Sequence, residues 1–213
     1  MRPQQLSLDE LDAIEYKNER GYIIQSKYIE REEQLDAQEY IPAHATVLEL
    51  GGRYGLAAAV INHQLENPLA HVVVEPDPTV QEALQKNRDS HLCHYSIFYG
   101  VVSRKPMYFT QQGFSSFCSS APTETPVQTL SLEKLMERYG IQRFTHLVAD
   151  CEGGLIDFFE ENKEFLKTLE GIYFEKDNKF NVEVDYTPFL HYISECGFVQ
   201  KKSGFREYWE RKT

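Results

Sequence analysis

From residue 46 onward, short apolar runs of sequence alternate with helix-prone stretches. The runs at residues 46–50, 71–74, 146–149 and 171–174 are almost continuously apolar, which is typical of strands covered by helices on both faces. Because strands that alternate with helices build parallel sheets, this part of the chain predicts a doubly wound α/β fold with a mostly parallel sheet.

The rest of the chain fits around this pattern. Another strand is predicted at residues 96–102, and the serine-rich chain up to residue 126 is interpreted as strand and loop. Helices are predicted up to residue 65 and at 79–88, 131–139, 155–166 and 188–195, with a closing strand near Phe198. Residues 205–212 are interpreted as a charged tail that packs against the body.

The first 45 residues differ in composition from the rest of the chain, because they are polar and helix-prone. Ser7 and Glu10 fit a capping box, which predicts a helix there, and a second helix is predicted over residues 22–38. We therefore divide the chain into an N-terminal helical extension, residues 1–45, and a main domain, residues 46–213.

The charge of the chain argues against a nucleic-acid partner. Its 33 acidic residues outnumber its 22 basic ones, for a net charge of −11, whereas nucleic-acid binders carry basic surfaces. No apolar run approaches membrane-spanning length, and the four cysteines form no CxxC pair. We expect a soluble, cytoplasmic protein with no membrane partner, and the sequence leaves its oligomeric state open.

The first apolar run contains an acid, Glu49, and leads into a glycine-rich turn. Glycines let the backbone approach a ligand beyond the carboxyl end of a strand. A carboxylate at Glu49 would repel a pyrophosphate but suits a cationic ligand end, such as the ammonium and sulfonium of S-adenosylmethionine. The predicted cofactor contacts of this turn are Glu49, Gly51, Gly52, Arg53, Tyr54 and Gly55.

A second acid, Glu75, lies at the end of the second apolar run, 20 residues beyond Gly55. In such folds an acid here accepts hydrogen bonds from the hydroxyls of a cofactor ribose. Pro76 and Asp77 continue this motif. Gly100 and Val101 lie where the adenine edge is expected, although a core strand is the competing interpretation.

The two motifs together resemble those of the FkbM family of S-adenosylmethionine-dependent methyltransferases. That family typically has Asp-x-Gly-Ala-Asn-x-Gly where this chain has residues 49–55, and Phe-Glu-Pro-x-Pro where it has residues 74–78. The similarity covers roughly residues 46–200. It implies a Rossmann-like class I fold, S-adenosylmethionine as cofactor, and a hydroxyl of a sugar, glycan or small metabolite as methyl acceptor.

Two further acids, Asp150 and Glu152, follow the 146–149 run and are predicted to be catalytic. A carboxylate within hydrogen-bond reach can take the proton that an alcohol loses on methylation. Asp150 is also predicted to contact the cofactor. The segment is similar to the family pattern Lys-x-Asp-x-Glu-Gly-x-Glu, but Val148 replaces the lysine and Leu155 replaces the last glutamate.

Several alternatives remain open at this stage. A divalent metal, although not favoured, could be held by Asp150, Glu175, Asp177 and Asn178, which are hard oxygen ligands. The chain could also be an NAD(P)-dependent oxidoreductase, a catalytically inactive S-adenosylmethionine-binding module, or an N-methyltransferase. The loop around residues 114–120 could contact the acceptor.

Overall fold

A computed structural model of the chain describes residues 5–112, 115–122, 125–177 and 183–212. Its helices are α1 Leu8–Ala13, α2 Arg31–Tyr40, α3 Leu56–Gln64, α4 Gln81–Ser90, α5 Leu132–Tyr139, α6 Gly154–Glu161, α7 Lys163–Leu166 and α8 Thr187–Glu195, with a 3₁₀ helix at Ser26–Tyr28. Its strands are β1 Tyr16–Lys17, β2 Ile23–Ile24, β3 Val47–Leu50, β4 His71–Val74, β5 Ser96–Phe98, β6 Val101–Val102, β7 Met107–Gln112, β8 Ser115–Ser119, β9 Thr125–Val127, β10 Thr129–Leu130, β11 His146–Ala149, β12 Gly171–Glu175, β13 Phe198–Lys202 and β14 Arg206–Arg211.

Seven strands form the central sheet, in the order β13-β14-β12-β11-β3-β4-β5. Neighbouring strands from β12 to β5 are parallel, and β14 is antiparallel to both β12 and β13. The predicted doubly wound, mostly parallel sheet is therefore confirmed. The strand order reverses between β3 and β11, and ligands of open α/β sheets bind at such a reversal.

Apolar side chains cover both faces of this sheet. One face carries the largest cluster of buried residues, in which Leu48, Val72 and Leu147 pack against α5, α6 and α8. The opposite face packs against α2 and α3 through Val47, Val148 and Ile61. None of the helices in the described ranges is both long and apolar enough to cross a bilayer.

The N-terminal residues belong to this second face. Leu11, Tyr16, Ala37 and Ile41 are all buried against it. Helix α1 begins with the predicted capping box, in which Ser7 and Glu10 exchange hydrogen bonds. Residues 5–45 therefore share a hydrophobic core with the main domain.

The continuous helix predicted over residues 22–38 is wrong. The chain there forms β2, the short 3₁₀ helix and then α2. The Asn18 side chain accepts hydrogen bonds from the backbone N–H groups of Arg20 and Tyr22, and Gly21 has a φ of 78°. This turn brings residues 23–24 back alongside β1, so local turn chemistry outweighs helix propensity.

Two other predicted elements are interrupted. The strand predicted at 96–102 breaks at Gly100, whose N–H donates to the Glu75 carbonyl at 3.1 Å, and β6 pairs with β10 instead of extending the main sheet. The helix predicted at 155–166 divides into α6 and α7 at Asn162.

The predicted charged tail is instead strand β14, which inserts between β12 and β13. One of its charged residues, Glu207, is buried. The Glu207 carboxylate accepts hydrogen bonds from Lys176 Nζ, Gln200 Nε2 and Trp209 Nε1 at 2.6–2.9 Å. Polar partners on β13, on β14 itself and just after β12 thus satisfy the buried acid of a strand that lacks the usual apolar alternation.

Candidate functional site

A crevice opens at the carboxyl ends of β3, β4, β11 and β12, where the strand order reverses. The predicted residues among those that line it are Glu49, Gly51, Gly52, Arg53, Glu75, Pro76, Asp77, Gly100, Val101, Asp150 and Glu152. Two predicted cofactor contacts, Tyr54 and Gly55, are not among the lining residues. The Tyr54 hydroxyl donates to Glu19 at 2.6 Å, and Gly55 precedes α3 as its N-cap.

The turn after β3 is held tightly against the end of β11. Gly51 has a φ of 92°, and a Cβ atom there would lie 1.6 Å from the carbonyl oxygen of Asp150. A Cβ on Gly52 would lie 2.3 Å from Val73. Glycine is therefore required at both positions by close packing, which also brings the turn beside Asp150.

The same kind of packing explains Gly100. A Cβ atom there would lie 2.3 Å from the carbonyl oxygen of Gln128 and 2.8 Å from the ring of Phe98. Gly100 and Val101 line the crevice. Position 100 lacks a side chain because Gln128 and Phe98 pack against it.

Glu75 connects the first two motifs. Its Oε2 accepts hydrogen bonds from the N–H groups of Gly52 at 3.1 Å and Arg53 at 2.7 Å, and its Oε1 accepts one from Asp77 at 2.7 Å. Burial raises the pKa of Glu75 to about 7, although these three hydrogen bonds oppose the shift. Since each carboxylate oxygen has two lone pairs, Glu75 can still accept a ligand hydroxyl.

Two non-glycine residues of the crevice have left-handed backbone conformations. Arg53 has a φ of 40° and Glu152 a φ of 50°. Outside glycine, asparagine tolerates this region best, and Arg53 stands where the resembled family has asparagine. Such strain concentrates at functional sites, and both residues line the crevice.

Asp150 directly follows β11, and its N–H donates to the Leu50 carbonyl at 3.0 Å. Burial and the nearby charges of Glu175 and Glu152 raise its pKa, while Arg53 and Arg206 oppose the shift. Burial also raises the pKa of Glu152. The two predicted catalytic acids therefore share one electrostatic environment.

Helix α2 and the residue before it add two acids that the sequence did not indicate. Glu30 and Glu33 line the crevice opposite the β3 and β11 turns. Burial raises the pKa of both residues, and the charge of Asp150 adds to the effect. Both lie outside the part of the chain covered by the family resemblance, so no motif signalled them.

Three carboxylates approach one another closely enough to hold a metal ion. Oxygen atoms of Glu33, Asp150 and Glu175 lie within 4.8 Å of one another. Arg206 already contacts two of them, with Nη1 3.3 Å from Glu33 and 3.0 Å from Glu175. Of the metal ligands considered from sequence, this group contains Asp150 and Glu175 but not Asp177, and it adds Glu33. Asn178 lies outside the described residues.

The chain after β7 provides another part of the lining. Ser116, Phe117 and Cys118 line the crevice, and they belong to strand β8 and not to a loop. Their contact with the acceptor stays a prediction. Phe114 of the same loop lies outside the described residues.

The lining is strongly acidic. Among the described residues that line the crevice, Arg53 is the only basic one. Nine lining residues carry a carboxyl group: Glu30, Glu33, Glu49, Glu75, Asp77, Asp150, Glu152, Asp157 and Glu161. A crevice of this charge favours cationic ligand groups and repels phosphates.

Comparisons with known proteins support the fold. No protein-family model matches the sequence, and no curated protein matches it. The precorrin-6y C5,15-methyltransferase of Geobacter metallireducens GS-15 is 10% identical over 94% of this chain and 96% of its own, with a TM-score of 0.53.

Two further solved structures are similar. Cofactor-bound Rv0187 from MTB is 10% identical over 86% of this chain and 81% of its own, with a TM-score of 0.50. The O-methyltransferase of Bacillus cereus, solved in complex with SAH, is 12% identical over 85% and 81%, with a TM-score of 0.48. At these identities the chain shares with the Geobacter protein a Rossmann-like α/β fold.

Proposed function

We propose that this chain binds S-adenosylmethionine in the acidic crevice and transfers its methyl group to a hydroxyl of a sugar or small metabolite. The observation that carries the proposal is the lining itself. Nine carboxyl-bearing side chains and a single arginine surround the end of the sheet where ligands of this fold bind. The similar Geobacter structure, named as a methyltransferase, supports methyl transfer on this fold.

The lining fits the two ends of this cofactor. Glu49 is the third residue of β3 and is buried within the lining, where it can attract an ammonium group. Glu75 lies at the end of β4, and its carboxylate retains lone pairs for ribose hydroxyls. A cation and a diol thus have separate acidic partners on adjacent strands.

The sulfonium of the bound cofactor would supply an activated methyl group, and the protein would position the acceptor and receive its proton. Asp150 suits the second task, because its raised pKa makes the carboxylate more basic near neutral pH. No described residue donates a hydrogen bond to its side chain, so its oxygens are free to approach an acceptor hydroxyl.

The alternatives make different demands on the same lining. An NAD(P)-dependent oxidoreductase must bind a pyrophosphate, which nine carboxyl groups would repel. An inactive S-adenosylmethionine-binding module needs the cofactor contacts alone, and Val148 and Leu155 depart from the FkbM pattern at two positions. An N-methyltransferase acting on a neutral amine would not require Asp150 as a base.

The experiment is calorimetric titration of the protein with S-adenosylhomocysteine and, separately, with NADH. We expect binding of the first ligand and none of the second. A panel of sugars and small alcohols and amines is then incubated with methyl-labelled cofactor, and release of S-adenosylhomocysteine is measured. Cofactor binding without product from any acceptor would support the inactive module, and binding of NADH alone would refute methyl transfer.

A further inference from the structure

Beneath the crevice, Glu49 is paired with a histidine that the family motifs do not include. His71 begins β4 and lies on the same face of the sheet as Glu49, with Nε2 2.8 Å from Glu49 Oε2. His71 is 0% exposed and Glu49 2%. Glu49 lines the crevice and His71 does not, so the histidine can reach a ligand only through the glutamate.

The surroundings of His71 leave polar atoms without partners. Its Nδ1 atom and the hydroxyl of Tyr95, whose ring lies 5.3 Å from the imidazole ring, have no hydrogen-bond partner among the described residues. A buried polar atom without a partner costs about 1–3 kcal/mol. An apolar residue at position 71 would avoid the cost at Nδ1 but would leave the buried Glu49 carboxylate without this partner. The histidine is therefore explained by the carboxylate that it contacts and not by its own packing.

The charge of the pair determines what Glu49 can bind. If His71 were an imidazolium ion, the pair would be neutral and would attract an ammonium group only weakly. With a neutral imidazole that carries its proton on Nε2, His71 donates to Glu49 and the pair keeps a full negative charge. In this form the histidine fixes one carboxylate oxygen and leaves the other for the crevice.

We infer that His71 is a positioning residue, which orients the Glu49 carboxylate toward the ammonium group of the amino-acid portion of the methyl donor. The inference rests on the proposed function. It implies that His71 affects binding of the amino-acid portion of the ligand alone, because other residues hold the nucleoside portion. Changes at His71 should therefore weaken only ligands that carry the amino-acid portion.

The test uses two ligands that share the adenosine and thioether groups. S-Adenosylhomocysteine carries the amino-acid portion, and 5′-methylthioadenosine lacks it. Calorimetry gives Kd for both with the wild type, His71→Phe, His71→Gln and Glu49→Gln. Gln can place an amide N–H near the position of Nε2, so it is the conservative replacement, and unfolding temperatures show whether each variant is folded.

We expect His71→Phe to weaken S-adenosylhomocysteine about tenfold, as loss of a charge-assisted contact does, with 5′-methylthioadenosine unchanged. His71→Gln should restore most of the affinity. In the Glu49→Gln background, His71→Phe should have little further effect. If His71→Phe does not fold, the comparison of His71→Gln with Glu49→Gln decides: Gln at 71 should retain binding and Gln at 49 should lose it.

Equal weakening of both ligands would overturn the inference and make His71 a structural residue, as would an undiminished effect of His71→Phe in the Glu49→Gln background. These results leave the proposed function standing. A wild-type protein that binds 5′-methylthioadenosine but not S-adenosylhomocysteine would instead overturn the proposed function, and with it the role of His71.

Discussion

Replacing Glu75 with glutamine separates the structural and ligand-binding roles of this carboxylate. The side chain accepts three backbone hydrogen bonds, two on Oε2 and one on Oε1. An amide has one acceptor oxygen, which keeps the most bonds when it faces Gly52 and Arg53. Its NH₂ group then faces the buried N–H of Asp77, which loses its acceptor.

The magnitude follows from that single unsatisfied donor. Glu75→Gln should lower the free energy of unfolding by about 1–3 kcal/mol, or about 2–12 °C in unfolding temperature for a chain of this length. Glu75→Ala should cost more, because all three N–H groups lose their acceptor and the glycine turn loses its support. With alanine, a loss of ligand binding cannot be told apart from a loss of the turn. Glutamine keeps most of the turn's hydrogen bonds and is therefore the better test of ligand binding.

The ligand effect adds to this structural one. A ribose hydroxyl donates more strongly to a carboxylate than to an amide, so Kd for S-adenosylhomocysteine should rise about tenfold or more. Calorimetric titration at pH 8, above the pKa of about 7, measures the ionised form of Glu75. Glu137→Gln, an exposed position on α5, is the matched control. Unchanged unfolding temperature and unchanged Kd in Glu75→Gln would refute the reasoning.

Three further outcomes are expected. Asp150→Asn should lower kcat about 100-fold or more while Kd for S-adenosylhomocysteine stays near the wild-type value, and wild-type turnover in single-turnover assays would remove Asp150 from the mechanism. The pKa of Glu75 is raised from 4.5 in the unfolded chain to about 7 in the native state, so the native state holds a proton that the unfolded state has released. The stability that this proton contributes is fully present below pH 4.5 and is lost as the pH rises through about 7. Calorimetric unfolding temperatures should thus be higher at pH 6 than at pH 8, and the reverse order would contradict the assignment. Chelator should leave the methylation rate unchanged, because Arg206 already supplies positive charge to Glu33 and Glu175; a loss restored by magnesium would show that a metal is used.

The sequence predicts the parts of the site that lie on the parallel strands. Doubly covered strands are continuously apolar, so an acid such as Glu75 or Asp150 at the end of such a run is conspicuous. The carboxyl ends of parallel strands meet at one edge, which places those acids together without knowledge of the strand order. That is why most of the predicted residues line a single crevice.

The parts that sequence reasoning missed depend on contacts between distant segments. Glu33 is one of several acids on a polar helix, and its closeness to Asp150 and Glu175 in the folded chain sets it apart. Its partner Arg206 lies 173 residues away. Strand β14 escaped prediction because its buried Glu207 is satisfied by side chains from three other positions. Local sequence propensity indicates neither the partner of Glu33 nor the partners of Glu207. Both sets of contacts form only when the C-terminal hairpin packs against α2 and β12.

The same long-range contacts divide the acids of the crevice into two groups. Backbone N–H groups satisfy Glu75, His71 satisfies Glu49, and Arg206 satisfies Glu33. Asp150 and Glu152 receive no hydrogen bond on their side chains from any residue in the described ranges, and of the lining residues only Arg53 offers them a positive charge. The carboxyl groups that have no hydrogen-bond donor among the described residues therefore lie beside the reversal in strand order. A cationic reacting centre would gain most there, whereas the paired acids hold the turns that shape the crevice.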